Sequence, residues 1–162
     1  MNRTDASTIY TIGHGSEPFS NLEDRLALHH VQSIVDVRSV PYSKHAPDFR
    51  KKELEVNATA AGLGYRWLGD RLGGLPTDPE LLAPSGAPDY AKVAATPAFA
   101  AGLDEVEALA AGSRVVLVCS ELDPEHCHRA QLLAPALEVR GYRVVHIGRD
   151  GVGRVHQPGM PI

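Results

Sequence analysis

Short apolar runs alternate along the chain with segments of helical periodicity or helix-forming composition. The apolar runs, most of them rich in β-branched residues, lie at 7–12, 31–37, 65–68, 114–119 and 142–147. The helical segments lie at 18–30, 49–61, 90–95, 97–111 and 123–139. Val115 to Val118 is apolar without interruption, which is typical of a strand covered on both faces, as in a parallel sheet. The alternation predicts a three-layer α/β fold with a mainly parallel, Rossmann-like sheet flanked by helices.

The predicted boundaries follow from turn-forming and helix-starting residues. Asp123 or Pro124 is predicted to open the last helix, which runs to about Val139. At this length a single α/β domain is expected, and it covers residues 1–148. Residues 149–162 are predicted to form a Gly/Pro-rich tail that is ordered only if it docks onto that domain.

Polar side chains stand where three of the predicted strands end. His14 follows the first strand, and Asp36 and Arg38 flank the end of the second. Cys119 ends the run at 114–119, and Glu121 follows it. Parallel strands end on the same side of a sheet, and ligands bind beyond their carboxyl ends. We therefore expect these five residues to lie together at one edge of the sheet.

The loop after residue 118 concentrates the reactive side chains of the chain. It begins at Cys119, and the first turn of the next helix is predicted to carry His126, Cys127, His128 and Arg129. A helix N-terminus favours anions and thiolates, which makes this loop the leading candidate for a site. The alternative is structural, with Cys119 as a small buried hydrophobe and Arg129 as a surface ion-pair partner.

Arg129 is placed against the preference of the helix dipole, which favours acids rather than bases in the first turn. An arginine there needs a compensating partner. The partner is expected to be an internal carboxylate, with Asp36 and Glu121 as the candidates, or the phosphate of a substrate. Asp36 and Arg38 have their own structural alternative, an ion pair that does no more than fix a loop.

Charge and cysteine content narrow the class of protein. The net charge of −4 gives no general attraction to nucleic acid or to an anionic membrane. A local basic run is either a solvated face or a contact for phosphate oxygens; it consists of Lys44, Arg50, Lys51 and Lys52. Two cysteines eight positions apart favour a reducing compartment, and neither a signal peptide nor a membrane-spanning run is visible. A cytoplasmic protein with no membrane partner is expected.

Eight short motifs occur in order between residues 8 and 148. They are T-I-G-H at Thr11–His14, D-V-R-S-V-P at Asp36–Pro41, Y-x-x-L-G at Tyr65–Gly69, L-G-G at Leu72–Gly74, Tyr90, C-S-E at Cys119–Glu121, C-H-R at Cys127–Arg129, and H-I at His146–Ile147. Together they resemble the bacterial family of domain of unknown function 488. The resemblance implies a compact α/β domain with a polar site built from these motifs. Family members usually carry serine directly after the T-I-G-H histidine, whereas Gly15 stands there in this chain and Ser16 follows, which argues against a serine mechanism.

The leading functional hypothesis is an enzyme, a hydrolase or a transferase, that acts on a phosphate-bearing substrate such as a nucleotide or nucleic acid. The candidate catalytic residues are Cys119, Glu121, Asp36 and His14, and the candidate substrate-binding residues are Arg38, Arg129, His128, Ser39 and Tyr65. The loop from Cys119 to Arg129 is similar to loops of thiol-dependent phosphatases and sulfurtransferases. Because their tighter Cys-to-Arg spacing is absent, that identification is not made. No cofactor is identified, and no metal ligand is assigned.

Two alternatives belong to other functional classes. Cys119, Cys127 and His128, with His14, supply ligand types that suit zinc, although their spacing is not a usual zinc pattern. Alternatively, the basic run could serve a non-catalytic module that binds nucleic acid or another partner. The acidic excess between residues 75 and 112 and the overall charge count against broad nucleic-acid binding.

Overall fold

A single mixed sheet of six strands organises the chain in a computed structural model that describes residues 7–122, 124 and 127–157. The strands are β1 (Thr8–Gly13), β2 (Ser33–Asp36), β3 (Gly64–Trp67), β4 (Val115–Cys119), β5 (Arg143–Ile147) and β6 (Gly153–Val155). Their order in the sheet is β3-β2-β4-β1-β5-β6. The first five run parallel and β6 is antiparallel to β5. The predicted α/β fold with a mainly parallel sheet is confirmed.

Helices cover both faces of the sheet and produce the three layers. They are α1 (Phe19–Leu28), α2 (Lys51–Ala60), α3 (Gly69–Leu72), α4 (Tyr90–Ala94), α5 (Pro97–Ala110), a π-helix (Arg129–Leu133) and α6 (Ala134–Val139), with 3-10 turns at Pro47–Phe49 and Pro79–Leu81. Side chains alternate along β4, so that Val116 and Val118 pack against α1 and α2 while Val115 and Leu117 pack against the remaining helices. Burial on both faces explains why β4 is apolar without interruption. None of the described helices is long and apolar enough to cross a bilayer.

The helix after β4 begins later than the sequence predicts. Asp123 and His126 lie outside the described residues, Pro124 belongs to a short turn, and the π-helix starts at Arg129. The expected start at Pro124 is therefore wrong by about one turn. Pro135 explains part of the irregularity, because it cannot donate the backbone hydrogen bond that a regular helix would require at that position. The wide turn places Arg129 at the first helical position, with its side chain buried beneath the loop.

Part of the segment predicted as a C-terminal tail is incorporated in the sheet. Residues 153–155 form β6, which pairs with β5 from Val145 to Ile147. The described chain continues to residue 157 and buries His156, whose ring contacts that of His146 at 3.0 Å. Residues 158–162 lie outside the described part of the chain.

Candidate functional site

The carboxyl edge of the sheet brings the predicted site residues together because β1, β2 and β4 are parallel neighbours. Gly13 is in register with Cys119, and Asp36 with Val118. The backbone N–H of His14 then donates to the carbonyl of Cys119 at 2.9 Å. Gly13 has to be glycine, since a Cβ atom there would lie 1.7 Å from the carbonyl oxygen of Glu121. The chain after β1 therefore packs directly on the chain after β4.

A buried ion pair closes the end of β2. The Arg38 guanidinium donates to both carboxylate oxygens of Asp36, from Nε to Oδ1 at 2.8 Å and from Nη2 to Oδ2 at 2.7 Å. The Tyr65 hydroxyl donates a third bond to Asp36 Oδ2, also at 2.7 Å. Burial and the adjacent Asp36 carboxylate raise the pKa of Tyr65, so its hydroxyl keeps its proton and remains a donor. The predicted polar cluster at the end of β2 is thus a satisfied network that orients Arg38.

His14 extends this network in its neutral form. Its Nδ1 lies 2.5 Å from the carbonyl oxygen of Gly15 and its Nε2 lies 3.2 Å from Arg38 Nη1. The ring stacks on Phe49 with 4.4 Å between centroids. Burial lowers the pKa of His14 to about 4, against a smaller opposing contribution from the bond to Gly15. Neutral His14 donates from Nδ1 and accepts from Arg38, so both ring nitrogens are occupied.

Two free cysteines form the centre of the site at the end of β4. The Sγ atoms of Cys119 and Cys127 are 2.8 Å apart and share a hydrogen bond. Arg129 Nη1 lies 3.1 Å from Cys119 Sγ, and His128 Nδ1 lies 3.6 Å from Cys127 Sγ. Burial raises the pKa of the Cys119 thiol. The hydrogen bond from Cys119, followed by the contact with His128, lowers the pKa of Cys127 to about 4. The two thiols titrate as one coupled pair, and the directions of these shifts favour the thiol on Cys119 and the thiolate on Cys127.

Arg129 is completely buried, at 0% exposure, which rules out the alternative of a surface ion-pair partner. Its Nη2 donates to the carbonyl oxygen of Leu122 at 2.8 Å, and its Nη1 reaches Cys119. Within the described ranges no carboxylate forms an ion pair with it, so the predicted partners Asp36 and Glu121 are wrong. The reason is geometric: Arg38 already occupies Asp36, and Arg129 Nη1 contacts the sulfur of Cys119.

An open cleft of about 270 Å³ lies over the cysteine pair. Of the predicted site residues, five line this cleft: Arg38, Ser39, Cys119, Glu121 and His128. Four others lie outside its lining and support it: His14, Asp36, Tyr65 and Arg129. Two contacts hold the rim in place. His128 Nε2 is 3.1 Å from the carbonyl oxygen of Val37, and Ser39 Oγ accepts from the backbone N–H of Leu75 at 2.9 Å.

The basic run is not part of this cleft. Lys51 lies over the ring of Trp67 and Arg50 over that of Tyr42, at 4.5 Å and 4.7 Å from the ring centroids. These cation–π contacts give two of its four members a structural role. In the described part of the chain no group of three or more His, Cys, Asp or Glu side chains is arranged to hold a metal ion.

One comparison with known proteins gives a result. A sequence model of a protein family matches residues 19–135, which is more than half of the chain. The chain belongs to that family, Domain of unknown function DUF488. No match was found among curated proteins or among solved structures. The DUF488 match contains Arg38, Cys119, Cys127 and Arg129, whereas His14 lies before it.

Three cleft residues of this DUF488 domain with polar or reactive side chains have no role in binding or catalysis assigned from the sequence. The sequence assigns Cys127 a role only as a zinc ligand, within a helix turn that favours thiolates, yet Cys127 is the thiol with the lowered pKa. Its position near a predicted helix N-terminus was the signal that could have marked it. Ser120 and Tyr90 also line the cleft. Tyr90 comes from α4, and no periodicity in the sequence indicates that α4 packs beside the loop after β4.

Proposed function

We propose that this DUF488 chain is a thiol-dependent enzyme that acts on a small phosphate-bearing molecule bound in the cleft. One observation carries the proposal: the Cys127 thiolate and the Arg38 guanidinium line the same cleft. Attack on a phosphoryl centre requires two groups, a nucleophile and a fixed cation.

Arg38 is suited to bind the phosphate. A guanidinium has five N–H donors, and three of them bond to Asp36 and His14. The other two have no partner among the described residues and are left for a ligand. The bidentate bond to Asp36 fixes the plane of the guanidinium, so little conformational entropy is lost when it binds an anion. In this proposal Asp36, Tyr65 and His14 position Arg38 and do not react.

Cys127 is the better nucleophile of the two cysteines. It is 6% exposed against 1% for Cys119, and its pKa is lowered whereas that of Cys119 is raised. In the proposed reaction the Cys127 sulfur bonds to phosphorus while the bond from phosphorus to the ester oxygen breaks. Glu121 is the one acidic residue among the described residues of the cleft lining, and in its protonated form it donates a proton to the leaving oxygen. Water then attacks phosphorus and gives up a proton to the Glu121 carboxylate. The bond from phosphorus to sulfur breaks, phosphate is released and the thiolate is restored.

The size of the cleft favours a small molecule or a single nucleotide over nucleic acid. At about 270 Å³ it lies just below the usual range for small-molecule sites. The basic run, the feature that would extend contacts along a nucleic-acid backbone, holds two of its side chains against aromatic rings. The net charge of −4 also disfavours binding to nucleic acid.

Steady-state hydrolysis of p-nitrophenyl phosphate and of nucleoside monophosphates, in the presence of a reductant, tests the proposal. Cys127→Ser is expected to lower turnover by more than about a thousandfold, as when a covalent nucleophile is removed. Arg38→Lys is expected to raise KM, because the charge remains but the two-pronged contact is lost. Arg154→Lys is the matched control, since Arg154 is exposed and pairs with Asp150 away from the cleft. Absence of turnover in the wild type, together with no thermal stabilisation by inorganic phosphate, would refute the proposal.

A further inference from the structure

We propose that Cys119 and Cys127 form a nucleophile and resolving pair that a hydroperoxide converts into a reversible disulfide. The inference uses the same Cys127 thiolate as the proposed function but needs no phosphate substrate. It assigns to this site a second chemistry, oxidation by a small peroxide.

Proximity is the first reason. The two sulfurs are 2.8 Å apart, and a disulfide bond is about 2.05 Å long, so the sulfurs have to approach by only about 0.8 Å. Cys119 is held at the end of β4 and Cys127 just before the π-helix, so each cysteine is anchored by a regular element. The resolving thiol is therefore already in place when Cys127 is oxidised.

The surroundings of the pair favour attack by Cys127. The buried Arg129 guanidinium and the His128 ring each contact one of the sulfurs and stabilise the negative charge that the pair shares. Such electropositive surroundings are typical of cysteines that react with peroxides. Cys119 lies deeper than Cys127 and its pKa is raised, so Cys119 is the less suited of the two to meet the peroxide first.

The limited access to Cys127 restricts the size of the oxidant that can reach it. Cys127 lines the cleft but is only 6% exposed, so an oxidant must be small enough to reach the floor. Hydrogen peroxide and small alkyl hydroperoxides satisfy this condition. A bulky disulfide would have to align its S–S bond with a sulfur that is almost covered, and a thiolate of low pKa is an intrinsically weaker nucleophile toward disulfides.

The reaction balances in two steps. First, the Cys127 thiolate attacks one peroxide oxygen, the O–O bond breaks and takes up two electrons, and the departing alkoxide or hydroxide is protonated. Cys127 becomes a sulfenic acid. Second, the sulfur of Cys119 attacks the sulfur of Cys127, the S–O bond breaks, and the proton of Cys119 leaves with the oxygen as water. A dithiol reductant restores both thiols by exchange.

The test treats the folded, reduced protein with a roughly stoichiometric amount of hydrogen peroxide at neutral pH and measures intact mass. The expected product has lost two hydrogen atoms and both titratable thiols, contains a peptide linking residues 119 and 127, and reverts with dithiothreitol. Added oxygen on a single cysteine, with the other still open to alkylation, would overturn the inference. Unchanged thiols under conditions that oxidise free cysteine would do so as well.

Two variants remove the resolving thiol while keeping the attacking one. In Cys119→Ser the hydroxyl can still accept from Arg129, and Cys119→Ala serves if the serine variant is poorly folded. Both are expected to stop at the sulfenic acid, which a dimedone adduct reports, whereas the wild type gives little adduct. Dimedone labelling equal in wild type and variants would overturn the resolving role of Cys119. Because mass is the readout, the disulfide can be detected even if no phosphate ester is turned over. Turnover of a phosphate ester can likewise be detected even if no disulfide forms.

Discussion

Two of the buried arginines, Arg38 and Arg129, lie at the same edge of the sheet and have different partners. Arg38 is paired with a carboxylate through two short hydrogen bonds, and that carboxylate receives a further bond from Tyr65. Arg129 is bonded instead to the sulfur of Cys119, one member of the cysteine pair, and to a backbone carbonyl. The cation is the same in both places, so the difference between the two regions lies in the partner.

The partner determines what each region can do. Both carboxylate oxygens of Asp36 accept hydrogen bonds from Arg38, and Asp36 thereby holds Arg38 in one orientation. The Cys119–Cys127 pair can gain a proton, attack an electrophile or be oxidised, and each event changes the charge that faces Arg129. The Arg38 region is therefore a fixed support, and the Arg129 region is a reactive centre.

The largest test of this contrast removes each guanidinium in turn. Arg38→Met should lower the free energy of unfolding by about 3–5 kcal/mol, because it leaves the Asp36 carboxylate buried and unpaired. Arg129→Met should cost less, about 1–3 kcal/mol, because the cysteine pair can take up a second proton and only a backbone carbonyl is left unbonded. Urea unfolding at pH 7 with a reductant measures both. The double variant Asp36→Asn/Arg38→Met should recover part of the loss, and equal losses for the two single variants would contradict the contrast.

A second test reads the protonation of the thiol pair directly. With the pKa of Cys127 lowered to about 4, its alkylation by iodoacetamide should vary little between pH 6 and pH 8. An ordinary thiol with a pKa of roughly 8.5 would accelerate roughly seventyfold over that range. Mass spectrometry of the modified peptide distinguishes Cys127 from Cys119, and glutathione in the same tube is the internal control. A steep rise for Cys127 would show that the pair is fully protonated at neutral pH.

The smallest test concerns the neutral His14 beside Arg38. Unfolded histidine takes up a proton below a pKa of about 6.5, whereas folded His14 resists protonation until about pH 4, so the unfolded state binds more protons between these values. Stability from His14 is complete above about pH 6.5 and is lost as the pH falls toward 4. Roughly 2 kcal/mol should disappear between pH 7 and pH 5.

Denaturant unfolding of His14→Gln at both pH values isolates this contribution. The variant should lose less stability on acidification than the wild type, even if it is less stable at pH 7. His45→Gln, at an exposed position, is the matched control and should keep the wild-type slope. His146, whose pKa burial lowers to about 3, contributes a similar slope in all three proteins and so cancels. Identical slopes for His14→Gln and the wild type would place the proton on His14 in the folded state.

The sheet could be predicted from local patterns because β-branched apolar runs and helical periodicity were consistent with each other along most of the chain. The uninterrupted run that became β4 is the clearest case. The meeting of His14, Asp36, Arg38 and Cys119 followed from the rule that parallel strands end on one side. No contact had to be known to reach that conclusion.

The partner of Arg129 could not be predicted, because it depends on a long-range choice. The sequence contains several carboxylates near the predicted edge, and only the fold shows that Asp36 is already occupied by Arg38. The late start of the helix after β4 could not be predicted from its first residues either. It depends on Pro135, which acts on a turn that precedes it in the chain. The strand β6 has only three residues, and two of them, Gly153 and Arg154, do not favour a strand. Local propensity alone therefore does not identify it.

The order of strands in the sheet has a consequence for how the chain acquires its structure. β4 is inserted between β1 and β2, which do not pair with each other, and the register joins Tyr10 to Val116, about a hundred residues apart. As the chain leaves the ribosome, β2 and β3 can pair early, whereas β1 has no strand partner until β4 emerges. Closing so long a loop carries an entropic cost before any sheet contact offsets it, which slows folding. The cleft, which needs the ends of both β2 and β4, is therefore among the last features to form.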